Sequence, residues 1–148
     1  MAMPTDDIML EYNKALARRA NEMWASGNVD VVEDIFAADY VNHQESDVAG
    51  GISDRDLASW KALVAGHHAA FSNARTRVLM QIAEGDMVAT RWEFTVTHTG
   101  DYLGHEPTGR TVSWTGVQID RIEDGRISES WVNWDKYRQF DALKLIGQ

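Results

Sequence analysis

The spacing of hydrophobic positions along this chain changes near its middle, from a helical period to simple alternation. Ile8, Tyr12, Leu16, Ala20 and Met23, with Ala15 and Trp24 alongside, predict a first helix. Thr5 reads as its N-cap, Asp6 and Asp7 suit its positive end, and Gly27 reads as the residue that ends it. Asn28 to Phe36 predicts a short second helix with Val31, Val32 and Ile35 inward, followed by an extended piece from Tyr40 to His43. The polar run from Gln44 to Ile52, with Gly50 and Gly51, reads as a mobile loop. Ser53 and Asp56 have the spacing of a capping box built with the shorter acid. Leu57, Trp60, Val64, His67 and Phe71 form the inner stripe of a third helix that ends near Ser72 and Asn73.

From there the chain reads as strands. Thr76 to Ala83 alternates weakly, Glu84-Gly85-Asp86 makes a hairpin turn, and Met87 to Thr99 alternates throughout. Its even positions, Val88, Thr90, Trp92, Phe94, Val96 and His98, are far more apolar than its odd ones and predict the inner face. Gly100 to Arg110 is a glycine-containing loop, and Lys136 to Leu145 a short helix or tail. Helices followed by an antiparallel sheet predict an α+β fold in a single domain over residues 1–148. A long twisted sheet wrapped around the first helix would form a cone, closed at one end and open at the other.

The hairpin Thr111 to Asp135 carries the candidate chemistry. A register symmetric about Glu123-Asp124-Gly125-Arg126 pairs Ile122 with Ile127, Asp120 with Glu129, Gln118 with Trp131, Gly116 with Asn133 and Trp114 with Asp135. One face then holds Trp114, Gly116, Gln118, Trp131, Asn133 and Asp135: a carboxylate among indoles, with two amides and a glycine-sized gap. Gly116 either lets a flat ligand approach or marks a bend in the sheet. Asp120 opposite Glu129 sets two like charges together, which calls for a cation, a rim position or a shifted pKa.

Composition narrows the class. The 148 residues are 44% hydrophobic and 25% charged, with a net charge of −9. That balance disfavours nucleic acid and anionic membrane as partners. No cysteine is present, so disulfides are excluded. No signal peptide or membrane-spanning run is visible, and a cytoplasmic protein is the expectation. No HExxH motif or comparable spacing suggests a metal; His67 and His68 point about 100° apart on a helix and cannot share one.

Four stretches, in order, resemble the SnoaL-like polyketide cyclases of the NTF2-like superfamily. They are Phe36-Ala37-Ala38-Asp39-Tyr40-Val41-Asn42-His43, then Glu84-Gly85-Asp86-Met87-Val88-Ala89-Thr90-Arg91-Trp92. Thr97-His98-Thr99-Gly100 follows, with Gly104 and Pro107-Thr108-Gly109-Arg110. The last is Asp124-Gly125-Arg126-Ile127-Ser128-Glu129-Ser130-Trp131, running to Asp135. The resemblance implies an NTF2-like, cystatin-like α+β cone in which N-terminal helices pack on a curved antiparallel sheet and enclose a pocket. It implies an aldol ring closure without metal or organic cofactor, and a homodimer through the outer sheet face. It matches the family's acid/base aspartate to Asp135 and, allowing one extra residue in the hairpin, its glutamine to Gln118. Asp120 stands where the family has a histidine, a role that His98 or His43 would take.

Aldol closure needs a group that removes a proton alpha to a carbonyl and one that protonates the new oxygen. An indole-lined pocket raises a carboxyl pKa towards neutrality, so one aspartate serves both steps. Asp135 and His98 are therefore the candidate catalytic residues. Gln118, Asn133, Trp114, Trp131, Trp92, His43 and Tyr12 are the candidates for binding a small hydrophobic or aromatic ligand. Each has a plainer role: Asp135 as a helix cap, the amides as a cross-strand pair, the histidines as satisfied structural groups. Two other functions compete. One is a non-catalytic small-molecule binder. The other is an epoxide-hydrolase-like enzyme, which wants an arginine between acids in the pocket, whereas Arg91 and Arg121 fall outside by parity. The expected dimer surface is the odd face of Met87–Thr99 with the even face of Ser128–Trp134.

Overall fold

The computed structural model describes residues 5–44 and 53–146. The mobile-loop expectation, apart from Gln44, lies outside the described residues. Helix α1 (Thr5–Ser26) ends where Gly27 takes φ +71° and donates its N–H to the Met23 carbonyl at 2.8 Å, as the sequence predicts. Its buried face is Leu16, Ala17, Ala20 and Met23; Ile8 and Tyr12 project beyond the core and are half exposed. Asn28 caps a short 3-10 turn that leads into α2 (Val32–Ile35). Strand β1 (Phe36–Gln44) and the short β2 (Ser53–Arg55) follow.

Asp56, rather than Ser53, caps α3 (Leu57–Ala70): its carboxylate accepts the Ser59 N–H at 2.8 Å, while Ser53 belongs to β2. Strand β3 (Phe71–Glu84) starts directly after α3, so Phe71 opens a strand instead of closing the helical stripe. Strands β4 (Met87–His98), β5 (Thr111–Glu123) and β6 (Arg126–Trp134) complete the sheet, and α4 (Lys136–Ala142) closes the described chain. The sheet order is β2-β1-β6-β5-β4-β3. Its pairings are antiparallel except β1 with β6, which run parallel and make the sheet mixed. It is curved and unclosed, an α+β cone of the NTF2-like kind. No described helix is long and apolar enough to cross a membrane.

Two apolar clusters fill the concave side. One joins α1, α2 and α3 to the sheet through Leu16, Met23, Ile35, Phe36, Tyr40 and Trp60. The other gathers Phe71, Trp92, Phe94, Trp114, Val132 and Leu143. The even face of β4 is inner, as alternation predicts: all six of its side chains, from Val88 to His98, are buried.

The symmetric hairpin register does not hold. Ile122 pairs with Ile127, but the next pair is Arg121 with Glu129, so Ser128 is one extra residue in β6. This bulge reverses the facing of everything beyond it. Asp120 now pairs with Ser130, Gln118 with Val132 and Gly116 with Trp134. Trp131 and Asn133 move to the outer face beside Ile119 and Val117, while Ser130, Val132 and Trp134 turn inward. The outer surface of β6 is therefore Glu129, Trp131 and Asn133, not its even positions. Asp120 and Glu129 no longer oppose each other: Asp120 is inside, and Glu129 outside accepts from Arg121 at 2.7 Å.

Candidate functional site

The cone holds a cavity of about 440 Å³ between α1, α3 and the inner faces of β4, β5 and β6. Trp24, Trp92, Phe94, Trp114 and Trp134 give it aromatic walls. Asn21, Gln44, Arg55, Gln118 and Gln139 add polar groups, and Asp101, Tyr102 and Leu103 contribute from the loop after β4. The Tyr102 hydroxyl donates to Gln139 Oε1 at 3.1 Å, joining that loop to α4. Such a lining, mostly apolar with a few fixed polar groups, is what a small-molecule site requires.

Gly116 has a definite steric reason. A Cβ there would stand 2.4 Å from Trp92 Cζ2 and 2.8 Å from Trp134 Cβ. The gap is filled by the Trp92 indole, so the protein's own ring, not a ligand, uses the missing side chain.

At the inner end of the lining, Gln118 donates through Nε2 to Asp120 Oδ1 at 2.7 Å. Ser130 Oγ donates to the same oxygen at 2.5 Å. Asp120 is 1% exposed. Burial pushes its pKa up to about 6, against the opposing pull of the Gln118 and Ser130 hydrogen bonds. The neighbouring Tyr40 hydroxyl accepts from Asn42 Nδ2 at 2.7 Å, and burial, then the Asp120 charge, raise its pKa well above the usual range.

Among the side chains predicted from sequence, Gln118, Trp114 and Trp92 line the cavity. The others lie elsewhere. Asp135 is exposed and caps α4, accepting the Arg138 N–H at 2.9 Å. His98 is fully buried outside the lining; its Nδ1 accepts the Thr108 N–H at 3.1 Å and so anchors the loop after β4. His43 sits on the outer face, 2.7 Å from both Asp54 and Glu129 and stacked on Trp131 at 5.4 Å. Burial alone would lower the His43 pKa; the Glu129 and Asp54 hydrogen bonds and charges outweigh it and hold the pKa above the ordinary value. Trp131 lies under the Arg121 guanidinium at 5.2 Å, and Asn133 is exposed beside it on the outer face. Tyr12 is half exposed, with its hydroxyl 3.4 Å from the Gly125 carbonyl at the hairpin turn. Among the described residues, no group of three or more acids, histidines or cysteines is placed to hold a metal.

The sequence of the SnoaL-like polyketide cyclase family, taken as a profile, matches residues 14–143. The chain belongs to this family. Solved structures agree on its fold. AclR from Streptomyces galilaeus, a proposed hydroxylase, is 27% identical; the match covers 94% of this chain and 85% of AclR at a TM-score of 0.81. IdmH from Streptomyces antibioticus, a proposed polyketide cyclase, is also 27% identical, covering 89% of this chain and 98% of IdmH at 0.79. A proposed SnoaL-like polyketide cyclase from Jannaschia sp. CCS1 shares the fold at 17% identity and a TM-score of 0.81, covering 100% and 99% of the two chains. A comparison with curated proteins finds no match.

Within this SnoaL-like frame, sequence reasoning missed several lining groups. Trp134 was hidden by the bulge, which no residue pattern announces. Asn21, Gln44 and Gln139 reach the cavity only through tertiary packing. His67 carried a usable signal: it is a polar residue on the inner stripe of α3.

Proposed function

We propose that this SnoaL-like chain binds a flat, oxygenated aromatic or polycyclic ketone and closes a ring in it by cofactor-independent acid/base chemistry. Asp120 carries this reading: a carboxyl buried on the inner sheet face, held to the lining Gln118, with its pKa pushed up to about 6. A group poised near the working pH serves both to take a proton and to return it. A ligand oxygen displaces the Gln118 amide, and Asp120 takes a proton alpha to the ligand carbonyl. The electrons of that C–H bond form a C–C bond at a second carbonyl of the same molecule. The alkoxide so formed takes the proton back from Asp120. Asp135 is exposed and its carboxylate is engaged at the start of α4, so the buried Asp120 is the stronger candidate. The name given to IdmH supports a cyclase reading, at 27% identity.

The test is exchange of alpha protons for deuterium, followed by NMR on a panel of aromatic diketones. Asp120→Asn should slow exchange by about a hundredfold or more while tryptophan fluorescence still reports binding. Unchanged exchange in that variant would sink the acid/base assignment. A second reading, non-catalytic binding, is favoured by one observation: Asp101 is the sole carboxylate among the described lining residues, and it is exposed. Binding without any exchange by the unmodified protein would decide for it. A homodimer through the outer face of β4 and β6 is part of the proposal, and light scattering that reports only a 16.7 kDa particle would count against it.

A further inference from the structure

His67 lies in the cavity wall, on the α3 stripe that faces the sheet. Phe71, Phe94, Trp24 and Trp114 surround its ring, with centroids 4.8, 5.4, 5.6 and 6.2 Å away. Its Nδ1 is buried with no hydrogen-bond partner. Among the described residues Nε2 has none either. A position enclosed by four aromatic rings is filled more stably by another apolar side chain than by an imidazole with unmade hydrogen bonds. The polar ring is retained against its own packing environment, and sites that act on ligands are where such costs concentrate.

The tautomer follows from the surroundings. A proton on Nδ1 would be a buried donor without an acceptor, which folded proteins avoid. The proton therefore belongs on Nε2, the nitrogen left on the cavity side. Burial, and secondarily the charge of His68, hold the ring far below the usual imidazole range, at about 3, so it is neutral at working pH. A neutral imidazole that offers one N–H to an apolar, aromatic-walled space donates to a ligand oxygen.

We propose that His67 Nε2–H is the donor that binds and polarises the carbonyl oxygen of the ketone. This rests on the reaction proposed above, with Asp120 as the proton acceptor. As the alpha C–H bond breaks, negative charge moves onto that oxygen. His67 keeps its own proton and stabilises the charge by a hydrogen bond already in place.

Anthraquinone and its hydrocarbon frame, anthracene, test the assignment by tryptophan fluorescence. Both are flat, only one carries carbonyls, and anthraquinone has no alpha hydrogen, so binding is read without turnover. The unmodified protein should prefer anthraquinone by about tenfold. His67→Phe and His67→Leu should lose the preference and melt higher, while His67→Gln, which keeps an N–H, should recover part of it. Nitrogen NMR should find the Nε2-protonated neutral ring at neutral pH and a shift of that signal when anthraquinone binds. An unchanged preference in the apolar variants, or no anthraquinone binding by the unmodified protein, overturns the role of His67. The two readings fail separately: an Asp120→Asn protein that still exchanges alpha protons refutes the acid/base role and leaves the anthraquinone preference standing.

Discussion

Replacing Asp120 by asparagine keeps the shape of the side chain and an oxygen for Ser130 and Gln118, and removes only the capacity to ionise. In the folded protein burial raises this carboxyl from 3.8 to about 6. The direction sets the sign. An acid whose pKa rises on folding holds its proton in the native state while the unfolded chain releases it. The contribution to stability is therefore complete below the unfolded value, falls as pH climbs between the two, and is lost above the folded value. A difference of about two units at about 1.4 kcal/mol each makes the loss roughly 3 kcal/mol. The asparagine variant has no such loss. Its melting temperature minus that of the unmodified protein should rise between about pH 4 and about pH 7 and then level off. For a chain of this length, at roughly 2–4 °C per kcal/mol, the rise should be roughly 6–12 °C. Paired thermal melts across that range are the assay. Parallel curves for the two proteins would refute a buried, elevated Asp120, and with it the basis for giving it the proton.

Gly116→Ala should destabilise by about 1–3 kcal/mol, because its new methyl meets the rigid Trp92 ring at 2.4 Å; denaturant unfolding measures the cost. Asp135→Ala should lose about 1 kcal/mol as a vacated N-cap and keep alpha-proton exchange, whereas loss of exchange in the folded variant would return the acid/base role to Asp135. His43→Gln should be less stable than the unmodified protein below about pH 6.5, since a raised histidine pKa stabilises the protonated fold. That deficit should shrink as pH climbs through the folded value, and a pH-independent difference would contradict the Asp54–His43–Glu129 arrangement.

Much of the frame was readable because single residues declare it. Gly27 marks the end of α1 through its left-handed backbone, and the even positions of β4 declare the inner face through composition. The candidate site was less readable because β6 is ambiguous in both phases. Trp131 with Asn133 and Val132 with Trp134 are each a plausible inner pair, and only the bulge at Ser128 chooses between them. With the symmetric register, Asp120 faced Glu129, which called for a cation, a rim position or a shifted pKa, and Asp135 shared a face with Gln118; the bulge instead leaves Asp120 buried beside Gln118 and Ser130. The parallel pairing of β1 with β6 joins segments some ninety residues apart, and no local pattern encodes it. It is this pairing that brings His43 against Trp131 and Glu129, on the side of the sheet away from the cavity.

Ser128 also makes β6 a strand with two readings. Bulged out of the pairing, it sends Ser130, Val132 and Trp134 to the inner face; paired in regular alternation, it would send Glu129, Trp131 and Asn133 there instead. Deleting Ser128 would join Ile127 to Glu129 in regular alternation and keep the present facing, whereas drawing residue 128 back into the ladder would exchange a hydroxyl, an isopropyl group and an indole for a carboxylate, an indole and an amide. For this cone, whether one residue of a hairpin arm is paired or bulged decides which side chains the inner face presents.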